Sequence, residues 1–294
     1  MNGKAFLRLF QKALSAWADD YASSMGAALS YYTLFSIAPL LAIVIAVAGI
    51  FFGADAVRGE IFAQLSDLLG DEGARAVEAM LRNASEPRTG VIAALVSFVL
   101  LVLGATTVLG ELQNDLDRIW RAPDAIKGRG IRGLARSRLL SIAMILTIAF
   151  LLLASLVFSA ALAALGKWWG AWFRGWEMAA HGLDLVLSFG LMTVLFALIY
   201  KIVPRAHIRW RDVWIGAGVT ALLFAIGKVL IGLYLGKTRV TSGFGAAGSL
   251  VLLMLWVYYS AQIFLIGAEF TWVYAHELGS RRNVAVLAGS APVS

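Results

Sequence analysis

Long stretches without a single charged residue dominate the pattern along this chain. Asp, Glu, Lys and Arg are absent from residues 21–54, 89–110, 139–166 and 240–268. A helix needs about 20 apolar residues to cross the ~30 Å hydrocarbon core of a bilayer, and each stretch is long enough. Two weaker stretches, 185–200 and 213–235, are also apolar apart from one lysine in the second. The pattern therefore predicts six transmembrane helices.

The composition supports this class of protein. Hydrophobic residues make up 60% of the 294 residues, charged residues only 15%, and the mean hydropathy is +0.80. Soluble domains carry about 25% charged residues. We therefore predict an all-α polytopic membrane protein with about six transmembrane helices and several short amphipathic helices. The sequence has no cysteine, which excludes disulfides and thiolate sites, and it predicts no cofactor and no metal site.

The distribution of basic residues predicts the orientation of the chain. If six helices alternate in direction, sixteen Lys and Arg fall on one side of the membrane and eight on the other. Cytoplasmic loops carry the excess of positive charge, so both termini are expected in the cytoplasm. The net charge of +7 fits attraction to anionic lipid headgroups on that side rather than binding of nucleic acid.

The first 20 residues are predicted to form an amphipathic helix. Apolar side chains share one helical face and basic side chains another, namely Phe6, Phe10, Leu14 and Trp17 against Lys4, Arg8 and Lys12. This spacing fits a helix in the inner headgroup region, and it also fits a helix packed on the protein's own cytoplasmic loops. Residues 21–276 then form one six-helix membrane domain. Residues 277–294 are expected to be a disordered cytoplasmic tail.

The segment 55–86 is predicted to lie outside the membrane as one or two amphipathic helices. Its apolar stripe consists of Val57, Ile61, Leu65 and Leu68. Gly70 and Asp71 interrupt this pattern, so we expect the helix to break there.

Ionisable residues inside apolar helices are costly, which makes them the first candidates for functional residues. At ~1.5 Å per residue, Glu269 lies about 30 Å from the outer end of the last predicted helix, at the cytoplasmic level. Glu111 reaches the same level in the second helix, and Tyr31 and Tyr32 begin the first helix from that side. These groups could line one vestibule open to the cytoplasm. The alternative is that each carboxylate only pairs with a loop arginine.

Lys228 is a basic residue well inside a predicted helix. It lies about 10 Å below the outer face, where its side chain could snorkel to the headgroups or bind an anionic group. Tyr258, Tyr259 and Asp184 start from comparable depths and are its expected partners. The candidate substrate or cavity residues are therefore Lys228, Glu269, Glu111, Tyr31, Tyr32, Tyr258, Tyr259 and Gln262.

A glycine-rich segment precedes the last predicted helix. Gly243, Gly245 and Gly248 lie among hydroxyl residues in the segment 241–249. Such a segment can form a re-entrant or hinge structure with free backbone groups facing a cavity. A simple external hairpin is the alternative.

Three short sequence motifs are spread along the chain between about residue 19 and residue 272. They are Asp19-Asp20 with residues 30–41 (SYYTLFSIAPLL), residues 117–121 (DRIWR), and residues 243–249 (GFGAAGS) continuing through 255–259 (LWVYY) to 267–270 (GAEF). Together they resemble the YihY/BrkB family of bacterial inner-membrane proteins, formerly labelled ribonuclease BN. Phe244 departs from the family, in which Tyr is frequent there, so a polar role of that position is in doubt.

The resemblance implies a six-helix protein of the bacterial inner membrane. Members of the family are often assigned to transporters and are linked to serum resistance and to export of lipid precursors. The family has no agreed catalytic or binding residues, so the candidate residues given above come from this sequence alone.

Transport is the function that these features favour. The expectation is an inner-membrane transporter or a translocator of a lipid or an anionic solute, with membrane lipids as partners and oligomerisation left open. The alternative is a non-transporting envelope or regulatory protein. An enzyme is not expected, because phosphodiester cleavage needs clustered carboxylates or histidines, whereas His181, His207 and His276 are scattered.

Overall fold

The structure, a computed structural model, describes residues 3–85, 91–122, 143, 147, 150, 176–237 and 248–282. Nearly all of these residues lie in helices, and no strand occurs among them. The helices are α1 (Gly3–Asp19), α2 (Ala22–Phe52), α3 (Ala54–Ser85), α4 (Val91–Ile119), α5 (Trp176–Ile202), α6 (Trp210–Lys237) and α7 (Gly248–Glu277). The predicted fold class, an all-α membrane protein, is confirmed.

Four of the described helices are long and apolar enough to cross a membrane. They are Ala22–Phe52, Leu185–Ile202, Trp210–Leu233 and Leu250–Glu277. These helices match the first, fourth, fifth and sixth predicted spans. The helix α4 covers the second predicted stretch, and the third stretch, 139–166, lies outside the described residues apart from three isolated positions. The total of six spans stays a prediction.

The described residues fall into two compact units. The first unit combines the described parts of Met1–Leu34, Thr107–Ser137 and Phe196–Ser294. The second combines those of Phe35–Thr106 and Arg138–Leu195.

In the first unit, α1 packs against α7 through a small apolar core. Leu9 and Ala13 are buried against Phe270, Val273 and Tyr274. The predicted apolar face contributes less than expected, because Phe6 and Leu14 are each more than a third exposed. The position of α1 in the headgroup region stays a prediction. Its contact partner is a candidate membrane-spanning helix rather than a cytoplasmic loop.

The helices α6 and α7 approach closely where each presents a glycine. A Cβ atom added at Gly216 would lie 2.7 Å from Cβ of Thr271, and one added at Gly267 would lie 2.8 Å from Cβ of Thr220. Small residues permit such close approach in lipid, where dispersion contacts drive helix association. The hydroxyl of Tyr200, on α5, donates to the carbonyl of Phe264 at 2.7 Å. This bond joins α5 to α7 in the same core.

In the second unit, α3 is a single helix that continues through Gly70 and Asp71. The backbone stays helical there, so the segment is one helix and not two. Helix-interior glycine costs only about 1 kcal/mol, and burial of Ala74 and Val77 beyond it offsets that cost. The helix is nevertheless bent, since one small cavity is lined by both Arg58 and Leu81. A straight helix would separate those residues by about 35 Å.

Candidate functional site

A buried carboxylate on α7 is the centre of the candidate site in the first unit. Glu269 is 1% exposed, and its Oε1 has no hydrogen-bond partner among the described residues. An unpaired buried carboxylate is expensive, because burial removes its hydration without a compensating donor. Asp20, Arg121 and Asp19 lie close enough to interact with it electrostatically.

The two aspartates belong to the tight turn between α1 and α2. The amide of Asp20 donates to Ala16 at 2.9 Å, which ends α1, and Ser24 donates back to Tyr21 at 2.9 Å, which begins α2. Tyr21 adopts φ of 56°, a left-handed conformation that is unfavourable for a residue with a Cβ atom. The turn places Asp19 and Asp20 beside α7.

Arg121 is held in place by the C-terminal cap of α4. The amide of Arg121 donates to Arg118 at 3.0 Å and that of Ala122 to Asp117 at 2.9 Å, the pair of bonds that defines a Schellman cap. The capping residue is usually glycine, yet Arg121 occupies it with φ of 47°. Its guanidinium stacks 4.8 Å above the ring of Trp272. An arginine with a left-handed backbone conformation thus lies near Glu269.

Neutral polar groups fasten the same turn to α7. The indole of Trp17 donates to Oε1 of Gln262 at 3.0 Å. Ser30, on α2, donates to the carbonyl of Met254 at 2.8 Å. Gln262 and Glu269 are seven residues apart and therefore lie on one face of α7. That face is polar where the α1–α2 turn meets it.

A second set of acids lies at the C-terminal end of α4, beyond the apolar stretch that ends at Gly110. Asp117 accepts a hydrogen bond from the backbone amide of Arg205 at 2.7 Å. Burial raises the pKa of Asp117, and Arg205 opposes the shift. Burial, and then the neighbouring Glu111, raise the pKa of Asp115 to about 7, while Arg118 lowers it. Asp115 therefore titrates near neutral pH.

A separate feature lies in the second unit, where α2 and the bent α3 enclose a cavity of about 570 Å³. Its wall is mostly apolar and includes Leu41, Ile45 and Phe62. Charged side chains also line it, namely Arg58, Arg82 and Glu78. A cavity of this size and composition can take part of an amphiphile, an apolar chain with a charged end.

Comparison with known proteins identifies the family. The profile described as virulence factor BrkB matches residues 13–288 of the chain. The chain belongs to the BrkB family. No solved structure matches this BrkB-family protein.

Several curated relatives carry the name UPF0761 membrane protein. The relative from Stenotrophomonas maltophilia strain K279a is 28% identical over 85% of this chain and 57% of its own length. The relative from Cronobacter sakazakii is 30% identical over 86% of this chain and 83% of its own length. This BrkB-family chain spans less than three fifths of the length of the first relatives that it matches. The names identify membrane proteins and give no activity.

The predicted vestibule residues of this BrkB-family protein lie in two neighbourhoods. Glu269 interacts with the α1–α2 turn and Arg121, whereas Glu111 interacts with Asp115 one helical turn away. Tyr31 and Tyr32 stack edge to face at 5.6 Å, and Tyr31 is 53% exposed. Whether these residues line one vestibule stays a prediction.

The remaining candidates are only partly described. Lys228 is half-buried on α6, and a Cβ atom at the adjacent Gly227 would lie 3.2 Å from Tyr259. Tyr258 is half-buried on α7. Gly248 is buried at the first position of α7. The side chain of Asp184, and Gly243 and Gly245, lie outside the described residues, so their predicted roles stay predictions.

Three charged residues near Glu269 were not among the candidates that the sequence indicated. Asp19, Asp20 and Arg121 all lie within the motifs shared with the family, but their positions at helix ends resemble ordinary interfacial charges. The signal that could have found Arg121 is its place two residues past the end of a helix. That position of a helix cap favours glycine, so a charged residue there is unusual.

Proposed function

We propose that this BrkB-family protein is an inner-membrane transporter that moves an amphiphile with an anionic group, such as a lipid, across the membrane. The observation that carries the proposal is the apolar cavity between α2 and α3, with Arg58 and Arg82 in its wall. With both termini in the cytoplasm, as the positive charges favour, α3 would lie on the outer side. No catalytic role is assigned to any residue.

The arginines of this cavity are available to an anionic ligand. Arg58 pairs with Asp55 at 3.9 Å and Arg82 with Glu78 at 3.0 Å, and both pairs are exposed. Exposed ion pairs contribute only about 0–1 kcal/mol, so a phosphate or carboxylate group could replace the acid as a partner. Among the described side chains of the cavity wall, two arginines and Glu78 leave one positive charge in excess.

The shape of the cavity favours an apolar chain rather than a small polar solute. Its wall includes the buried side chains of Leu41, Ile45, Ile61 and Val77, which offer no hydrogen-bonding groups. Burying an acyl chain there would gain about 25 cal/mol per Å² of apolar surface removed from water. The acyl chain of a lipid resting in the bilayer core is already out of water, so selectivity would rest mainly on the headgroup.

Movement of labelled lipid in proteoliposomes tests this proposal. The purified full chain is reconstituted with a trace of fluorescent phosphatidylglycerol or, separately, fluorescent phosphatidylcholine, and dithionite quenches the label in the outer leaflet. We expect faster transfer of the anionic lipid in proteoliposomes than in protein-free vesicles. The variant Arg82→Gln should slow transfer of phosphatidylglycerol and leave that of phosphatidylcholine unchanged.

A matched pair of substitutions tests the cavity itself. Ala74 lines the cavity and is fully buried, whereas Ala63 lies on the exposed side of the same helix. Ala74→Phe should fill the cavity and reduce transfer, and Ala63→Phe should not. Equal transfer in both variants, with both correctly folded, would exclude the cavity as the binding site. No transfer of any probe by the wild type would favour the envelope or regulatory alternative.

A further inference from the structure

The segment from the end of α5 to the first turn of α6 carries an excess of positive charge. Residues 201–212 contain four bases and one acid, namely Lys201, Arg205, Arg209, Arg211 and Asp212. Asp212 is buried, and its Oδ2 accepts hydrogen bonds from the amide and the hydroxyl of Ser280 at 3.2 and 2.5 Å. No ion pair joins Asp212 to a base within the described residues. The acid of this segment is therefore engaged by the chain after α7 and not by the neighbouring bases.

Three of these four bases have no acidic partner in the part of the chain that the structure describes. Arg205 is the exception, because its Nε lies 3.7 Å from Oδ2 of Asp117. Arg209 and Arg211 are exposed. The ammonium of Lys201 donates to a backbone carbonyl of the α5–α6 turn, and two of its three N–H groups remain for another acceptor. These three bases can therefore act on an anion from outside the protein.

Two exposed tryptophans lie beside the ammonium of Lys201. Trp210 and Trp214 are one helical turn apart on α6, with ring centroids 6.4 Å from each other. Each ring is nearly half exposed, at 47% and 46%. The ammonium lies 5.6 Å from the centroid of Trp210, a distance typical of a cation–π contact. Because indole rings prefer the level at which lipid headgroups meet hydrocarbon, the pair places this positive charge at headgroup level.

An apolar surface continues along α6 from the tryptophans. Four further side chains are each more than half exposed, namely Leu222, Ile226, Val229 and Leu233. They recur at intervals of three and four residues, as on one side of a helix. This helix is long and apolar enough to cross a membrane. The exposed stripe therefore lies against hydrocarbon, and its end at Trp210 adjoins the bases.

We infer that Lys201, Trp210 and Trp214, with Arg209 and Arg211, form a binding site for an anionic phospholipid. Lys201 donates to the phosphate as a compact point charge, and the two arginines add positive potential. The indole rings contact the region between the headgroup and the acyl chains, and one acyl chain extends along α6. This site is separate from the proposed transport, because a lipid can bind here whether or not the cavity moves one.

The apolar stripe identifies the occupant as a lipid rather than a soluble anion. The bases alone would suit a free phosphate group, which needs only donors and positive charge. A free phosphate would gain nothing from the exposed rings of Trp210 and Trp214 or from the stripe beyond them. A phospholipid uses all three features, and bases beside a membrane-spanning helix favour acidic headgroups over zwitterionic ones.

Fluorescence quenching by brominated lipids tests this site. The chain has no cysteine, so a bimane label on Leu222→Cys reports on the lipid beside α6 alone. The full chain is placed in phosphatidylcholine nanodiscs with increasing fractions of brominated phosphatidylglycerol or brominated phosphatidylcholine. We expect the phosphatidylglycerol to quench at a several-fold lower mole fraction. A label on Val186→Cys, exposed on α5, should be quenched equally by both lipids.

Charge substitutions show whether the named bases select the headgroup. Lys201→Gln can still donate to the backbone carbonyl but has no charge, and we expect it to raise the half-quenching fraction of brominated phosphatidylglycerol about fivefold. Lys201→Arg should stay close to the wild type. The control Arg75→Gln removes an exposed charge from α3 and should change nothing. The double variant Arg209→Gln with Arg211→Gln leaves the bond of Lys201 intact, so it tests the site even where Lys201→Gln folds poorly, and it should also weaken quenching.

Three results would overturn the inference. Equal quenching of the Leu222→Cys label by both lipids would show an ordinary aromatic belt without headgroup selection. Wild-type quenching in both the Lys201→Gln variant and the double arginine variant would show that these bases do not bind the lipid. Relief of quenching by millimolar glycerol phosphate would show a site for a soluble anion. We expect no relief, because glycerol phosphate has no acyl chain to lie along α6.

Discussion

The close contact between α6 and α7 allows a sharp test of the packing. Gly216→Ala would place a Cβ atom 2.7 Å from both Cβ and Cγ2 of Thr271, whereas Gly218, two residues further along α6 on another face, has no atom within 4 Å of its added Cβ. Both substitutions replace glycine by alanine in the same helix. Their difference therefore isolates the steric effect from helix propensity.

The magnitude follows from three contributions. Overpacking a tight contact costs about 1–3 kcal/mol. Displacing Thr271 also weakens its hydrogen bond to the carbonyl of Gly267, which is 2.7 Å long, at a cost of about 0.5–1.5 kcal/mol. Replacing helical glycine by alanine returns about 0.5–1 kcal/mol. We expect Gly216→Ala to lower the free energy of unfolding by about 1–3 kcal/mol and Gly218→Ala to raise it slightly.

Equilibrium unfolding in mixed detergent micelles, followed by circular dichroism, measures both variants. The double variant Gly216→Ala with Thr271→Ala should recover part of the loss, because it removes Oγ1 and Cγ2 of Thr271 and leaves only the Cβ atom close to the new methyl group. If Gly216→Ala is as stable as Gly218→Ala, the two helices do not pack at this contact, and the reasoning is refuted.

Three other sites lead to predictions of their own. The pKa of Asp115 is 3.8 in the unfolded chain and about 7 in the folded one. Its contribution to the free energy of unfolding is therefore complete below about pH 4 and is lost, on the order of a few kcal/mol, as the pH rises to 7. The free energy of unfolding of Asp115→Asn should lack this dependence on pH, and that of Asp55→Asn should keep it. Lys228→Met should reduce lipid transfer at normal membrane abundance and Lys228→Arg should retain part of it, so full transfer by Lys228→Met would remove Lys228 from the site. Single cysteines at Asp55 should react with an impermeant thiol reagent in intact cells, and cysteines at His207 only after permeabilisation; the opposite pattern would reverse the predicted orientation.

The membrane-spanning helices were predictable because their signal is local and uninterrupted. The helix α2 begins and ends within two residues of its predicted apolar stretch, and Gly53, with φ of 84°, follows its last residue. Glu269 stands out by the same local signal, as the acid that follows 29 uncharged residues. Both inferences need nothing beyond hydropathy and the cost of a charge in lipid.

The partners of these residues were not predictable in the same way. Leu9 and Ala13 are the residues of α1 that are buried on α7, although the bulkier Phe10 and Leu14 dominate its apolar pattern. The buried face is selected by the shape of the partner, and the small side chain of Ala13 allows a close approach. The continuous α3 likewise depends on burial of Ala74 and Val77, which outweighs the local preference of Gly70 and Asp71 for a turn.

The docking of α1 on α7 also has a consequence for the order in which the protein is made. The hydrogen bond from Trp17 to Gln262 joins residues 245 positions apart. At about 5–20 residues per second, a ribosome needs about 10–50 s to add the intervening chain. During that interval α1 and its two aspartates exist without the helix that receives them. We expect nascent chains arrested before α7 to leave this turn open to proteases, and the turn to become resistant only once Glu269 has entered the membrane.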